Sequence, residues 1–212
     1  MNITKFGHSC LFIEEQKLRV VVDPGTYSTM QDRLHDVDVL IITHEHEDHC
    51  DIKSVATIVK NNPQIKILTN KSVSDKLKKE EGIASQIVRH GDVVREKDIA
   101  IEFFGREHAI MHSSIPPVEN VGYFIAGRFF YPGDAFTDPG RPVDILALPV
   151  QAPWLKLPEA IDYALALKPK VCFPVHDGIM KNPGSTHAIP KKILQEHGIR
   201  FKVLELDKRY EF

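Results

Sequence analysis

Six residues that follow a short apolar run constrain this chain more than any other feature. Residues 37–42 are mostly apolar and predict a buried strand, which leads directly into Thr-His-Glu-His-Glu-Asp-His-Cys at 43–50. His44, His46, Asp48 and His49 therefore lie on the loop after a strand. Imidazole and carboxylate groups suit zinc, manganese or iron. The run predicts a metal site at the end of a buried strand.

Further ligands are expected downstream, because four ligands cannot fill two coordination spheres. Three predicted strands, at 99–104, 128–131 and 170–173, are followed by His108, Asp134 and His176 respectively. The first two histidines of the motif can face the same side of an extended segment, and its last two residues can reach a second ion. Two ions roughly 3.5–4 Å apart are the usual arrangement for two-metal hydrolysis. The sequence therefore predicts a dinuclear site.

Short strands alternate with helices in the rest of the chain. Beside the strands above, strands are predicted at 3–6, 10–14, 19–22, 65–68, 86–88, 93–96, 121–126, 145–148 and 201–204. Helices are predicted after Asp51, at 71–81, from Pro158, and at 190–197. The pattern indicates an α/β protein, a four-layer αββα sandwich in which two β-rich halves share one core. Its length of 212 residues favours a single domain over 1–212.

The composition of the chain limits the classes of partner that it can be expected to bind. The chain is 42% hydrophobic and 26% charged, with a net charge of −2, so it lacks the basic footprint of a nucleic-acid binder. No apolar run is long enough for a membrane span, and the N-terminus does not resemble a signal peptide. Three well-separated cysteines favour a reducing cytoplasm. A small-molecule substrate is expected, and the oligomeric state is open.

Taken in order, His-x-His-x-Asp-His, a histidine, Gly-Asp and a final histidine resemble the metallo-β-lactamase superfamily. The resemblance covers nearly the whole chain, from Gly7 to His176. It implies that one ion is held by His44, His46 and His108, and the other by Asp48, His49 and His176. Asp134 would bridge the ions together with a hydroxide. The implied cofactors are two divalent ions, with zinc favoured and manganese or iron as alternatives.

The function that this resemblance implies is metal-dependent hydrolysis. The bridging hydroxide would attack a small ester, lactone or phosphoester, with Asp48 and His8 as the candidate catalytic residues. Three alternatives stay open: a phosphodiesterase or nuclease of the same fold, a metal-binding protein without turnover, and an iron-dependent oxidoreductase. The low net charge and short length weigh against a nuclease.

Gly7-His8-Ser9-Cys10 followed by Asp23-Pro24 looks like a narrower group, the small hydrolases that include L-ascorbate-6-phosphate lactonase. Asp134 stands where the commonest zinc β-lactamases have cysteine. His46 stands where flavodiiron oxidases usually have glutamate.

Two histidines compete to be the third ligand of the first ion. His108 follows Gly-Arg-Glu, like the turn of relatives, and is favoured over His112, which precedes Ser-Ser. His8 either orients substrate or protonates a leaving group, or it is a hydrogen-bonded interior histidine.

Three other residues are candidates for the pocket or its support. Asp23 either orients a ligand histidine or is only a turn residue before proline. Trp154 is a candidate pocket residue. Lys156 either meets an anionic substrate or is a solvated surface lysine, and the second interpretation is favoured.

Overall fold

Two seven-stranded sheets form the middle of the molecule. The computed structural model describes residues 1–212. In spatial order, the first sheet contains β14 (Arg209–Glu211), β1 (Asn2–Lys5), β2 (Leu11–Glu15), β3 (Leu18–Val22), β4 (Val39–Ile42), β5 (Lys66–Thr69) and β6 (Gln86–Ile87). The second contains β13 (Arg200–Phe201), β12 (Val171–Val175), β11 (Ile145–Pro149), β10 (Phe129–Tyr131), β9 (Gly122–Ile125), β8 (Ile99–Phe104) and β7 (Val93–Glu96).

Four helices cover the outer faces of the sheets. They are α1 (Ile52–Asn61), α2 (Lys71–Glu81), α3 (Leu157–Leu167) and α4 (Gly184–Glu196), and Gln31–Arg33 adds one 3₁₀ turn. Asp51 caps α1 by accepting a hydrogen bond from the Ser54 amide, and Gly82 ends α2 in the left-handed conformation. None of the four helices is both long and apolar enough to span a membrane.

Strand β4 shows how the layers form. Its four residues are all buried, because the strand is covered on both faces. Val39 and Ile41 join a 25-residue core between the two sheets, whereas Leu40 and Ile42 join a separate core under α1 and α2. A third core lies under α3 and α4. The predicted αββα sandwich is therefore confirmed, and we propose from the shared central core that residues 1–212 form one domain.

Parallel strands place the predicted site residues at one edge of each sheet. β3 to β6 are mutually parallel in the first sheet, and β10 to β13 are mutually parallel in the second. Asp23 follows β3, the histidine-rich run follows β4, and His176 follows β12. Because the carboxyl ends of parallel strands lie together, these loops converge.

Two predicted elements near the C-terminus differ from the structure. The last helix begins at Gly184, so the prediction that it begins at Pro190 is wrong. Pro190 is buried inside α4. Proline is most common in the first turn of a helix, and Pro190 lies beyond that turn. It cannot donate the backbone hydrogen bond of an interior position, and the sequence does not reveal that the helix tolerates this loss. The final strand β13 is only Arg200–Phe201, and the polar edge strand β14 has no apolar alternation from which to predict it.

A buried ion pair fixes the loop that carries His176. The Lys5 ammonium pairs with Asp177 and donates to the carbonyl oxygen of Pro174 at 2.8 Å, and Asp177 also accepts from His187 at 2.8 Å. The Lys5 and Asp177 side chains are only 3% and 10% exposed. This pair links β1 to the end of β12 across 172 residues of sequence.

We expect Asp177→Asn to destabilise the protein strongly, because it leaves a buried ammonium without a counter-charge. The expected loss is about 3–5 kcal/mol in the free energy of unfolding, measured by urea denaturation at pH 7. Asp75→Asn is the matched control, since Asp75 pairs with Lys71 on the surface and is expected to cost about 1 kcal/mol or less. Equal losses in the two variants would contradict the structural role of the buried pair.

Candidate metal centre

The loops at the sheet edge bring seven histidine and aspartate side chains into two adjoining groups. The ligand atoms within each group lie no more than 4.8 Å apart. One group contains His44, His46 and His108. The other contains His8, Asp48, His49 and His176.

Asp134 lies between the two groups. Its Oδ1 is 3.3 Å from His49 Nε2, and its Oδ2 is 3.0 Å from His176 Nε2 and 3.4 Å from His108 Nε2. Asp134 is nearly fully buried, and the Trp154 indole N–H donates to its Oδ2 at 2.9 Å. A single carboxylate therefore contacts histidines of both groups, and an indole restrains its position.

Four of these imidazoles share one orientation. Each turns its Nδ1 toward an oxygen acceptor: Thr43 Oγ1 for His44 at 3.0 Å, Asp23 Oδ2 for His49 at 2.8 Å, and backbone carbonyls of Ala109 and Gln151 for His108 and His176. An Nδ1–H that donates outward leaves the lone pair of Nε2 free to face the centre. This is the tautomer and orientation that a metal-ligating histidine adopts.

Asp23 is the most strongly bound of the supporting residues. It is fully buried, accepts from the Thr43 amide at 2.8 Å and from the Thr43 hydroxyl at 2.7 Å, and contacts His49 Nδ1 at 2.8 Å. Asp23 is therefore placed to orient the His49 ring, and we propose this as its role.

His8 has the opposite polarity. Its Nδ1 accepts a hydrogen bond from the Gly178 amide at 3.1 Å, so in the neutral ring the proton lies on Nε2. That Nε2 lies 3.4 Å from Asp48 Oδ2. Gly178 is needed for this contact, because a Cβ at residue 178 would lie 2.7 Å from the Cα of His8. His8 is therefore arranged as a donor toward the centre.

Burial and neighbouring charges oppose each other in setting the pKa values of His176 and Asp134. Burial alone lowers the pKa of His176, but the adjacent Asp134 and Asp48 outweigh it and raise the pKa to about 10. Burial would raise the pKa of Asp134, yet the charges of His49 and His176 hold it well below its usual range. Burial, reinforced by neighbouring imidazoles, lowers the pKa of His44 far below its ordinary value. The centre therefore mixes neutral imidazoles with paired charges.

Three other predicted residues lie in different surroundings. His112 is exposed, and its Nδ1 contacts Ser114 rather than the two groups. Lys156 is 81% exposed, pairs with Glu159 and does not line the cleft above the centre. Trp154 packs edge-on to His108, with ring centroids 5.9 Å apart. The structure thus brings His108 and Trp154 to the centre and leaves His112 and Lys156 outside it.

Sequence reasoning missed three supporting groups. The Gln151 carbonyl orients His176, Asp177 ties the His176 loop to Lys5, and the buried Asn120 side chain accepts from the Asp134 amide at 3.1 Å. Gln151 acts through its backbone carbonyl, and a backbone contact carries no signature in the sequence. Nothing in the sequence around Asn120 or Lys5 indicates that these residues contact Asp134 or Asp177.

A cleft of about 770 Å³ opens above the second group. His8, His46, Asp48 and His176 form part of its wall. The other charged residues that line it are Glu45, Glu47, Asp75, Glu80, Lys76 and Lys79. Four carboxylates thus face two ammonium groups, so the rim of the cleft is net acidic.

Comparison with known proteins identifies close resemblances. Residues 2–176 match the family model described as "Beta-lactamase superfamily domain". Protein Rv0786c of Mycobacterium tuberculosis is 35% identical over 185 residues, which is 85% of each chain.

Two solved structures are also similar over almost the whole chain. A protein from Parabacteroides distasonis, assigned as a metal-dependent hydrolase, has a TM-score of 0.79 and 24% identity over 97% of this chain and 93% of its own. Igni18, a metallo hydrolase from Ignicoccus hospitalis, has a TM-score of 0.75 and 20% identity over 100% and 98%. At such identities these two likenesses establish a shared fold.

Metal content should distinguish the two competing histidines. His108→Ala removes an imidazole that lies with His44 and His46, so we expect the metal content after zinc loading to fall below that of the wild type. His112→Ala is the matched control and should keep the wild-type content, measured by elemental analysis after loading and desalting. Loss of metal in His112→Ala with retention in His108→Ala would reverse the assignment.

Zinc binding at pH 7 should release at least one proton. The pKa of His176 is raised to about 10, so its metal-free imidazole is protonated at pH 7 and must lose that proton to bind an ion. The apparent affinity should therefore rise with pH, by up to about tenfold per pH unit per released proton. Calorimetry in buffers of different ionisation enthalpy measures the release, and binding heats that do not depend on the buffer would contradict it.

Proposed function

Because the chain belongs to the β-lactamase superfamily, we propose that it is a hydrolase with two divalent metal ions at the centre described above. The observation that carries the proposal is the pair of adjoining ligand groups with the Asp134 carboxylate between them. We infer that His44, His46 and His108 hold one ion, that Asp48, His49 and His176 hold the other, and that Asp134 bridges the two.

The polar atoms of the centre fit this assignment. His44 Nε2 and Asp134 Oδ1 are buried and have no hydrogen-bond partner. Unpaired buried polar atoms are costly, and each is expected to have a ligand or ion to satisfy it. Both atoms are of types that bind zinc, manganese or iron, with zinc favoured by the mainly imidazole donor set.

Bound ions of this kind supply a nucleophilic water at neutral pH and polarise the scissile carbonyl or phosphoryl group. The residues of this chain would supply position. Asp23 and Thr43 fix the rings of His49 and His44, the Gln151 carbonyl fixes His176, and Trp154 with Asn120 holds Asp134 from two sides. Such restraint keeps the reacting groups aligned without reorganisation.

His8 would act as a hydrogen-bond donor toward the substrate. Its Nε2 is buried and makes no hydrogen bond, although Asp48 Oδ2 lies 3.4 Å away, and the Gly178 amide fixes the ring so that Nε2 carries the proton. Burial lowers the pKa of His8, so the ring is neutral at pH 7. A neutral N–H stabilises a developing oxyanion or alkoxide more readily than it transfers a full proton, which favours orientation over protonation of a leaving group.

The cleft favours a small substrate without a large negative charge. Its acidic rim would repel a nucleic-acid backbone, which weighs against the nuclease alternative. A small cavity of about 80 Å³ beside His46 and His108 is lined by Met111, Ile115 and Pro116, and it suits a short apolar substituent. We therefore propose a small ester or lactone as substrate. Lys76 and Lys79 are the cleft residues that could contact a single anionic group.

A metal-removal experiment tests the proposed activity. The zinc-loaded protein should hydrolyse members of a panel of small esters and lactones, should lose activity on chelation, and should recover it with zinc or manganese. The panel should include bis(p-nitrophenyl) phosphate as a phosphodiester probe. Hydrolysis that persists after complete metal removal would overturn the mechanism, and preference for the phosphodiester would favour the nuclease alternative.

Substitution of His8 tests its role as donor. His8→Ala should lower kcat about 10²–10³-fold, the usual effect of removing one donor to an oxyanion. His8→Gln places an amide N–H near the position of Nε2 and should recover part of the loss. Zinc content should be unchanged in both variants. Loss of one ion in His8→Ala would instead assign His8 as a ligand.

A further inference from the structure

A second cavity, of about 320 Å³, lies beside the metal centre and is separate from the cleft above it. Its wall combines the start of α2 at Asn70 and Lys71, the end of β6 at Val88, and the segment after β8 at Gly105. None of its lining residues lines the catalytic cleft. The cavity opens outside the carboxyl ends of the parallel strands β5 and β6, where open α/β sheets commonly bind ligands.

The charges around this cavity are mainly positive. Lys71, Arg89 and Arg106 line it, and Glu119 is its one carboxylate. Arg89 and Arg106 are exposed and form no ion pair, whereas Lys71 pairs with Asp75 outside the lining. The Glu119 carboxylate accepts from the Ser72 amide in the first turn of α2 at 2.9 Å, so it offsets the positive end of that helix and does not pair with an arginine. Two arginines therefore face the cavity without a counter-charge.

The side chains that form the floor of the cavity are held in place by hydrogen bonds. Asn70 and Asn120 are buried, and both side chains are hydrogen-bonded: Asn70 donates to the Thr43 carbonyl at 3.0 Å, and Asn120 donates to the Pro132 carbonyl at 2.9 Å. A preformed floor lowers the cost of ordering a ligand.

We propose that this cavity binds a phosphoryl group, either as free inorganic phosphate or as part of a small phosphomonoester. Arg89 and Arg106, which form no ion pair, can supply two positive charges to a phosphate dianion, and planar guanidinium groups bind phosphate oxygens in pairs. The cavity is larger than one phosphate and falls at the low end of small-ligand pockets, which leaves room for a small attached group.

Calorimetric titration of the zinc-loaded protein tests the proposal. Inorganic phosphate and glycerol 3-phosphate serve as separate probes. The double variant R89Q/R106Q should weaken binding at least about tenfold, since it removes two charge-assisted contacts. The matched control K191Q/K192Q removes two exposed lysines of α4 and should bind like the wild type. All variants keep the metal centre, so phosphate that binds to zinc contributes equally to each titration.

Unchanged affinity in R89Q/R106Q, or an equal loss in K191Q/K192Q, would overturn the proposal. The single variant R89Q and a thermal melt of every variant exclude a folding defect as the cause of weaker binding. Tighter binding of glycerol 3-phosphate would identify a phosphomonoester as the ligand class, and equal affinities would identify free phosphate. Absence of saturable binding by either probe in the wild type would also overturn it.

Discussion

The buried carboxylate of Asp23 is the contact on which the centre depends most. It stands at the end of β3, outside water, and engages the amide and hydroxyl of Thr43 and the ring of His49. Its backbone has a positive φ of 43°, which a non-glycine residue adopts at a cost of about 1–3 kcal/mol. Three hydrogen bonds to a charged acceptor offset such a cost. Asp23 thereby ties the end of β3 to the end of β4. It holds the His49 ring directly and the His44 ring through Thr43.

The two sheets orient their histidines by different means. In the first sheet, side chains of Asp23 and Thr43 set the rings of His49 and His44. In the second, backbone carbonyls set His108 and His176. A carbonyl can be supplied by any residue, so this half of the centre depends on the path of the chain more than on residue identity. His176 also has a positive φ, of 66°, and its loop is held by the buried pair of Lys5 and Asp177.

Much of the fold was predictable because its signals are local. The ends of α2 follow from its capping residues Asn70 and Gly82, the site loops follow apolar runs that end at polar residues, and His108 lies in the segment just after β8. Contacts between distant segments were not predictable. Lys5 meets Asp177 across 172 residues, and Asn120 meets Asp134 only because β9 and β10 pair. The charged residues of the cleft were not predictable for the same reason. Lys76 and Lys79 line the cleft from α2, whereas Lys156, the lysine considered from the sequence, does not.

The edge strand β14 pairs with β1 and places Phe212 beside Met1. The Phe212 amide donates to the Met1 carbonyl at 2.9 Å, and the Met1 amino group donates to the Phe212 carbonyl at 3.3 Å. A chain closed at this point and opened between β6 and β7, in the exposed turn at 89–92, would run through β7 to β13 and then through β14 and β1 to β6. Each sheet would then be one uninterrupted segment with its strands in sequential order. Strand pairing in both sheets therefore follows one circular order of strands, in which β14 stands next to β1.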